Sequence, residues 1–226
     1  MLTSLSKYAN EKHWGWYRLQ PEQWRCFLAT PEKVKVLEIG AYDGTSANMM
    51  LDEIFTHPES EVHTVDPFLS DPTTPGVGSH TRERFEENCR RGGHGERISL
   101  YEGLSVEVMG WMIAEEGYWE GFDVVFIDGS HLARDVMTDA TMGWHLLKPG
   151  GMMVFDDYTW GMHLPSTGRP REAIDAFFAA FSTELSPMWT GEQMFVRKRG
   201  GPDLQGQGPA VSKCAVVGPS ASPLRF

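Results

Sequence analysis

The sequence is short of cysteine and of positive charge, and it has no long apolar run. Its three cysteines, Cys26, Cys89 and Cys214, lie far apart and form no CxxC pair. That spacing argues against a disulfide framework or a thiolate zinc site and fits a reducing cytosol. Lys and Arg number 20 against 31 Asp and Glu, a net charge of −11, which argues against nucleic acid or an anionic membrane surface as partner. The opening stretch MLTSLSKYANEKHW has no apolar core of a secretory signal. No apolar stretch approaches the ~18 residues of a membrane span, so the expected location is cytoplasmic. No internal repeat stands out.

What is present is the balance of a soluble globular domain: 226 residues, 41% hydrophobic and 23% charged. Strand-like and helix-like patterns alternate along it. KVKVLEIG (33–40) reads as a buried strand and TSANMMLDEIF (45–55) as a helix with apolar residues at helical spacing. SEVHTVD (60–66) reads as a second strand stopped by Pro67. A Pro- and Gly-rich loop (67–79) follows, long enough to act as a lid. Further along come a polar helix (80–91), a strand (97–103), a helix (105–116) and the strand FDVVFI. A helix carrying Leu132, Val136, Ala140, Gly143 and Leu147 on one face follows. A Pro149-Gly150-Gly151 turn then leads into a fifth strand, a helix (169–181) and a final strand (192–199).

This alternation predicts βαβ units and an α/β, doubly wound, mostly parallel sheet covered on both faces. The expected organisation is a helical lead-in over 1–32, one domain over 33–199 and a flexible Gly-, Pro- and Ser-rich tail over 200–226. Trp14, Trp16, Tyr17 and Trp24 in the lead-in are expected to pack on the domain. A homodimer through this segment is a further expectation.

Ligands of such sheets bind at the carboxyl ends of the strands. The first loop there, Glu38 to Ser46, reads EIGAYDGTS. A dinucleotide fingerprint would put glycine where Tyr42 stands, so that the backbone could meet a pyrophosphate. Tyr42 obstructs that, and Glu38 and Asp43 would repel phosphate. The loop instead suits a small, partly cationic ligand, and S-adenosylmethionine fits: no phosphate, a sulfonium, an ammonium and a ribose. Asp66, ending the second strand, is placed to accept from the ribose hydroxyls.

These segments resemble the class I S-adenosylmethionine-dependent methyltransferases. VLEIGAYDGTS looks like their first motif, TVDPF like their ribose-binding acid, FDVVFIDGSH like their fourth strand and LLKPGGMMVFDDY like their fifth. The similarity runs from about residue 33 to 198. It implies a seven-stranded sheet in the order 3-2-1-4-5-7-6 with the last strand antiparallel. By position it implies Glu38, Gly40, Tyr42, Asp43, Gly44 and Asp66 as cofactor residues. Gly103, Leu104 and Ser105 would lie on the adenine side, with Asp128 near the methionine part.

In that order strands four and five are neighbours, so Asp128 ends beside Asp156 and Asp157. Two carboxylates ~5 Å apart repel by about 3 kcal/mol at an effective dielectric of 20, so either a proton or a cation must compensate. Oxygen donors without thiolates favour Mg2+, or Mn2+ or Ca2+ as another hard divalent cation. Here the chain is similar to the metal-dependent O-methyltransferases of macrolide sugars and catechols, whose base lies three residues after the first acid. The matching residue is His131, and the histidine points to the sugar-modifying branch. Asp157 departs from both branches, which have Glu-Asp and Asp-Asn pairs.

The resulting expectation is Mg2+-assisted methylation of a hydroxyl on a small sugar-bearing or phenolic molecule, with His131 as base and Asp128 beside it. The base would be kept neutral by the start of the following helix. The alternatives are a metal-independent N- or O-methyltransferase and a non-catalytic S-adenosylmethionine-binding protein. His163 is a further acid/base or substrate-contact candidate.

Overall fold

In a computed structural model of the chain, residues 5–8, 21–69, 79–115 and 117–200 are described. Trp14, Trp16, Tyr17, most of the expected lid (70–78) and the tail from 201 on lie outside the described residues.

Two short helices, α1 (Leu5–Tyr8) and α2 (Pro21–Leu28), precede β1 (Lys35–Ile39) and α3 (Thr45–Met49). Then come β2 (Glu61–Asp66), α4 (Ser79–Gly92), β3 (Ile98–Glu102), α5 (Ser105–Ala114), β4 (Phe122–Ile127) and α6 (Ala133–Leu146). The chain closes with β5 (Leu147–Phe155), α7 (Pro170–Ala180), β6 (Leu185–Thr190) and β7 (Met194–Lys198). The seven strands form one sheet in the order β3-β2-β1-β4-β5-β7-β6. β1 to β5 pair in parallel, whereas β7 runs antiparallel to β5 and β6. This is the expected order.

The central strands are apolar on both faces because helices cover both. Val36, Phe126, Val154 and Phe195 join Trp24, Met50 and Phe85 in one core layer. Leu37, Val125, Met153 and Val196 join Met109, Val136, Trp144 and Phe177 in the other. By the two-residue alternation of a strand, Glu38, Asp128 and Asp156 project to the side of the first layer. Two described residues of the N-terminal segment pack on the domain: Trp24 is fully buried, and the buried Tyr8 donates to Asp52 at 2.8 Å.

Two details differ from the sequence reading. β6 had no sequence signal, because LSPMWT carries Pro187. That residue is tolerated since β6 is an edge strand, and the pairing register shifts between Pro187 and Trp189. The helix expected over 45–55 is α-helical only to Met49 and continues as a π-helical turn over Met50–Ile54.

Candidate active site at the carboxyl ends of the strands

The loop after β1 is shaped by one close approach. A Cβ on Gly40 would lie 2.0 Å from the carbonyl oxygen of Asp128, and Gly40 has φ +97°, so both space and backbone demand glycine there. Tyr42, at the position a dinucleotide site gives to glycine, takes φ +45°, an uncommon conformation for a side chain of its size. Gly44 has φ +74° and backs onto Phe85, where a Cβ would lie 2.9 Å from the ring. Asn48 donates to the Gly44 carbonyl and Asn88 to the Asp43 carbonyl, both at 2.8 Å. These two asparagines brace the loop from α3 and α4, and nothing in their spacing announced it.

Asp66 does more here than await a ribose. Its Oδ2 accepts the amides of Ala41 and Tyr42 at 2.9 Å each, and its Oδ1 accepts the Phe68 amide at 2.6 Å. The acid ending β2 therefore clamps the glycine loop of β1. Burial raises its pKa, the amides working against that. Asp43 is turned inward, its Oδ1 taking the Thr45 hydroxyl at 2.8 Å at the start of α3.

Glu38 is completely buried. Ser46 donates its hydroxyl to Oε1, while Oε2 is buried without a partner. Burial, reinforced by Asp66 and Asp43, pushes its pKa up to about 7. A buried, half-satisfied carboxylate beside a glycine loop fits a cationic group of a ligand. On the β3 side, the Gly103 amide donates to the Asp66 carbonyl at 3.2 Å, and Leu104 is 45% exposed. The Ser105 hydroxyl is already given to Asp139, buried in α6, at 2.6 Å. Burial raises Asp139 to about 6.

The acids of β4 and β5 end side by side. The Asp128 amide donates to the Ile39 carbonyl at 2.8 Å and the Asp156 amide to the Ile127 carbonyl at 3.0 Å, extending the ladders one residue past each strand. A narrow recess is lined by Asp128, Ser130, His131, Asp156 and Asp157. Burial holds the Asp128 carboxyl well above the usual carboxylate range, and Asp156, Asp157, Glu38 and Asp66 push the same way. Asp156 accepts the Asp157 amide at 2.7 Å and the side-chain amide of Gln193 at 3.0 Å. Asp157 adopts φ +58° and meets His131 Nε2 at 2.9 Å through Oδ2.

His131 lies two residues before α6, as expected, yet the group that orients its ring is Asp157 rather than the helix start. Trp160 stacks on the imidazole with centroids 4.0 Å apart and planes 18° from parallel. Nδ1 is buried without a partner. Sequence reasoning missed Trp160 and Gln193, which carry no motif. His163 is exposed on the loop after β5.

Among the described residues, no three His, Cys, Asp or Glu side chains converge as a ready metal cage. The donor chemistry nonetheless suits a hard divalent cation. Asp128 is a half-buried carboxyl crowded by the like charges of Asp156, Asp157, Glu38 and Asp66. None of the described helices is long and apolar enough to cross a membrane.

The methyltransferase-domain family matches residues 37–158. No curated protein matches the chain in sequence. In fold, the chain is similar to the O-methyltransferase TomG from Streptomyces achromogenes, involved in tomaymycin synthesis and solved with S-adenosylmethionine. The TM-score is 0.64 at 15% identity, over 88% of this chain and 91% of that one. An O-methyltransferase from Bacillus cereus, solved with S-adenosylhomocysteine, gives 0.60 at 16% identity over 87% of each chain. The MycE methyltransferase of the mycinamycin pathway, solved with Mg, S-adenosylhomocysteine and mycinamycin VI, gives 0.60 at 21% identity, over 89% of this chain and 54% of that one.

Proposed function

Because the chain belongs to the methyltransferase-domain family, and is thus a class I S-adenosylmethionine-dependent methyltransferase, we propose that it methylates a hydroxyl oxygen of a small molecule with the help of a divalent cation. One observation carries the reading. A half-buried, charge-crowded Asp128 follows β4 against the Gly40 loop, with Asp157 and a carboxylate-oriented His131 in the same recess.

When bound, S-adenosylmethionine supplies an electrophilic methyl group, and a divalent cation lowers the pKa of a hydroxyl it contacts. The chain's own residues do the rest. Gly40 and Gly44 let the loop backbone come close to the methyl donor, and Asp66 holds that loop in place. Glu38 offers a buried carboxylate oxygen to the donor's cationic part. Gly103, Leu104 and Ser105 border the adenine side. Asp128, Asp156 and Asp157 would hold the cation.

His131 takes the hydroxyl proton. With Nε2–H given to Asp157, the lone pair sits on Nδ1, so a carboxylate orients the base in the manner of a catalytic dyad. Trp160 fixes the ring plane. The preferred acceptor is a sugar-bearing or phenolic natural product; that TomG and MycE serve tomaymycin synthesis and the mycinamycin pathway supports a natural product as acceptor. A metal-independent transfer is the second reading, favoured by the lack of a converged three-ligand cage among the described residues.

The deciding experiment is transfer of labelled methyl from S-adenosylmethionine to a panel of hydroxyl compounds, with Mg2+ and with excess chelator. Label in oxygen-linked product that disappears with chelator is the expected result. Undiminished transfer in chelator removes the cation, and transfer only to nitrogen acceptors removes the hydroxyl.

A further inference from the structure

Asp156 differs from the other two acids in having a donor on each oxygen, and one of those donors leads back to the N-terminal helix. Its Oδ2 accepts the side-chain amide of Gln193 at 3.0 Å. Gln193 is 2% exposed, just before β7, and its Oε1 accepts the indole N–H of Trp24 at 2.8 Å. Trp24 in turn sits edge-on to Phe126 of β4 at 5.0 Å and to Phe195 of β7 at 5.9 Å. A single buried indole thus touches the strand that ends in Asp128 and orients the amide that holds Asp156.

The direction of this relay is set by chemistry. Trp24 can only donate, so Gln193 must turn its oxygen to the indole and its NH2 to Asp156. Without that donor the Asp156 carboxyl, whose terminal torsion is soft, would be held less firmly against the repulsion of its like-charged neighbours. A lysine or arginine could hold Asp156 equally well, yet would cancel the negative charge that a cation needs. A neutral amide fixes the orientation and leaves the charge.

We propose that Gln193, oriented by Trp24, is the positioning residue that sets Asp156 for divalent-cation binding, so that docking of α2 is part of assembling the site. The proposal rests on the cation-assisted reading above.

The test is Mn2+ titration of the full-length protein without acceptor, by calorimetry, for the wild type, Gln193→Leu and Trp24→Phe, with S-adenosylmethionine affinity measured in parallel. Loss of a residue holding a ligand carboxylate weakens metal affinity by about 10–100-fold. We expect that for Gln193→Leu, a smaller loss for Trp24→Phe and unchanged S-adenosylmethionine affinity in both. Phe retains the edge-on packing and loses only the N–H, so Trp24→Phe alone decides the matter if Gln193→Leu does not fold. Mn2+ affinity equal to wild type in the folded variants overturns the proposal. A wild type that binds no Mn2+ overturns the cation reading itself, and this proposal with it.

Discussion

His131 Nε2 lies 2.9 Å from Asp157 Oδ2, and Asp157 reaches it from a backbone conformation, φ +58°, that a side-chain-bearing residue seldom adopts. Such an arrangement persists only where the surroundings over-determine it, and it is concentrated at functional sites. It ties the loop after β4 to the loop after β5, so the base and its orienting acid follow neighbouring strands. If His131 is the base, His131→Ala should lower kcat by about 10²–10⁴-fold while S-adenosylmethionine binding stays intact. Asp157→Asn should lose less. Full turnover in His131→Ala would remove the residue from the mechanism.

Gly40→Ala is expected to be severe for a reason independent of chemistry. The added Cβ would overlap the Asp128 carbonyl at 2.0 Å, and φ +97° is unfavourable for any side chain. Destabilisation of about 2 kcal/mol or more, together with loss of S-adenosylmethionine binding, should appear in denaturant melts and calorimetry. Gly93 also has a positive φ, +74°, but open space around it, so Gly93→Ala should cost only the backbone strain.

Glu38 should make the ligand-free protein less stable as the solution becomes more alkaline. Its carboxyl titrates near 7 when folded, against 4.5 for an ordinary glutamate, because burial disfavours the anion. A raised folded pKa means the contribution is fully present below about pH 4.5 and is lost as pH rises through about 7. The full loss is about 3 kcal/mol on this shift. Denaturant melts at pH 5 and pH 8 should therefore show a smaller drop for Glu38→Gln than for wild type. Equal drops would mean that Glu38 is not the group responsible.

Asp128→Asn should separate stability from activity. Removing a half-buried carboxyl that four other acids crowd should raise the stability of the ligand-free protein at pH 8, by about 1–2 kcal/mol. The same change should abolish methyl transfer and any stabilisation by Mn2+. A variant both less stable and fully active would contradict the assignment on each count.

Some of this was determined by the sequence alone. Alternating apolar strands and helices dictated a sheet covered on both faces, because only strands buried on both sides can be as oily as VLEI or FDVVFI. Gly40 and Gly44, and the acids at the ends of FDVVFI and MMVF, were legible because backbone geometry and charge leave short, local signatures. β6 was not legible, since an edge strand tolerates Pro187 and needs no pattern. Only the tertiary structure showed that Asp66 clamps the loop of β1, that Ser105 is already committed to Asp139, and that Trp160 lies flat on His131. The same holds for the link from Trp24 through Gln193 to Asp156, which spans 169 positions between indole and amide. Contacts between distant segments depend on where folding brings each side chain, and no local pattern of residue types encodes that.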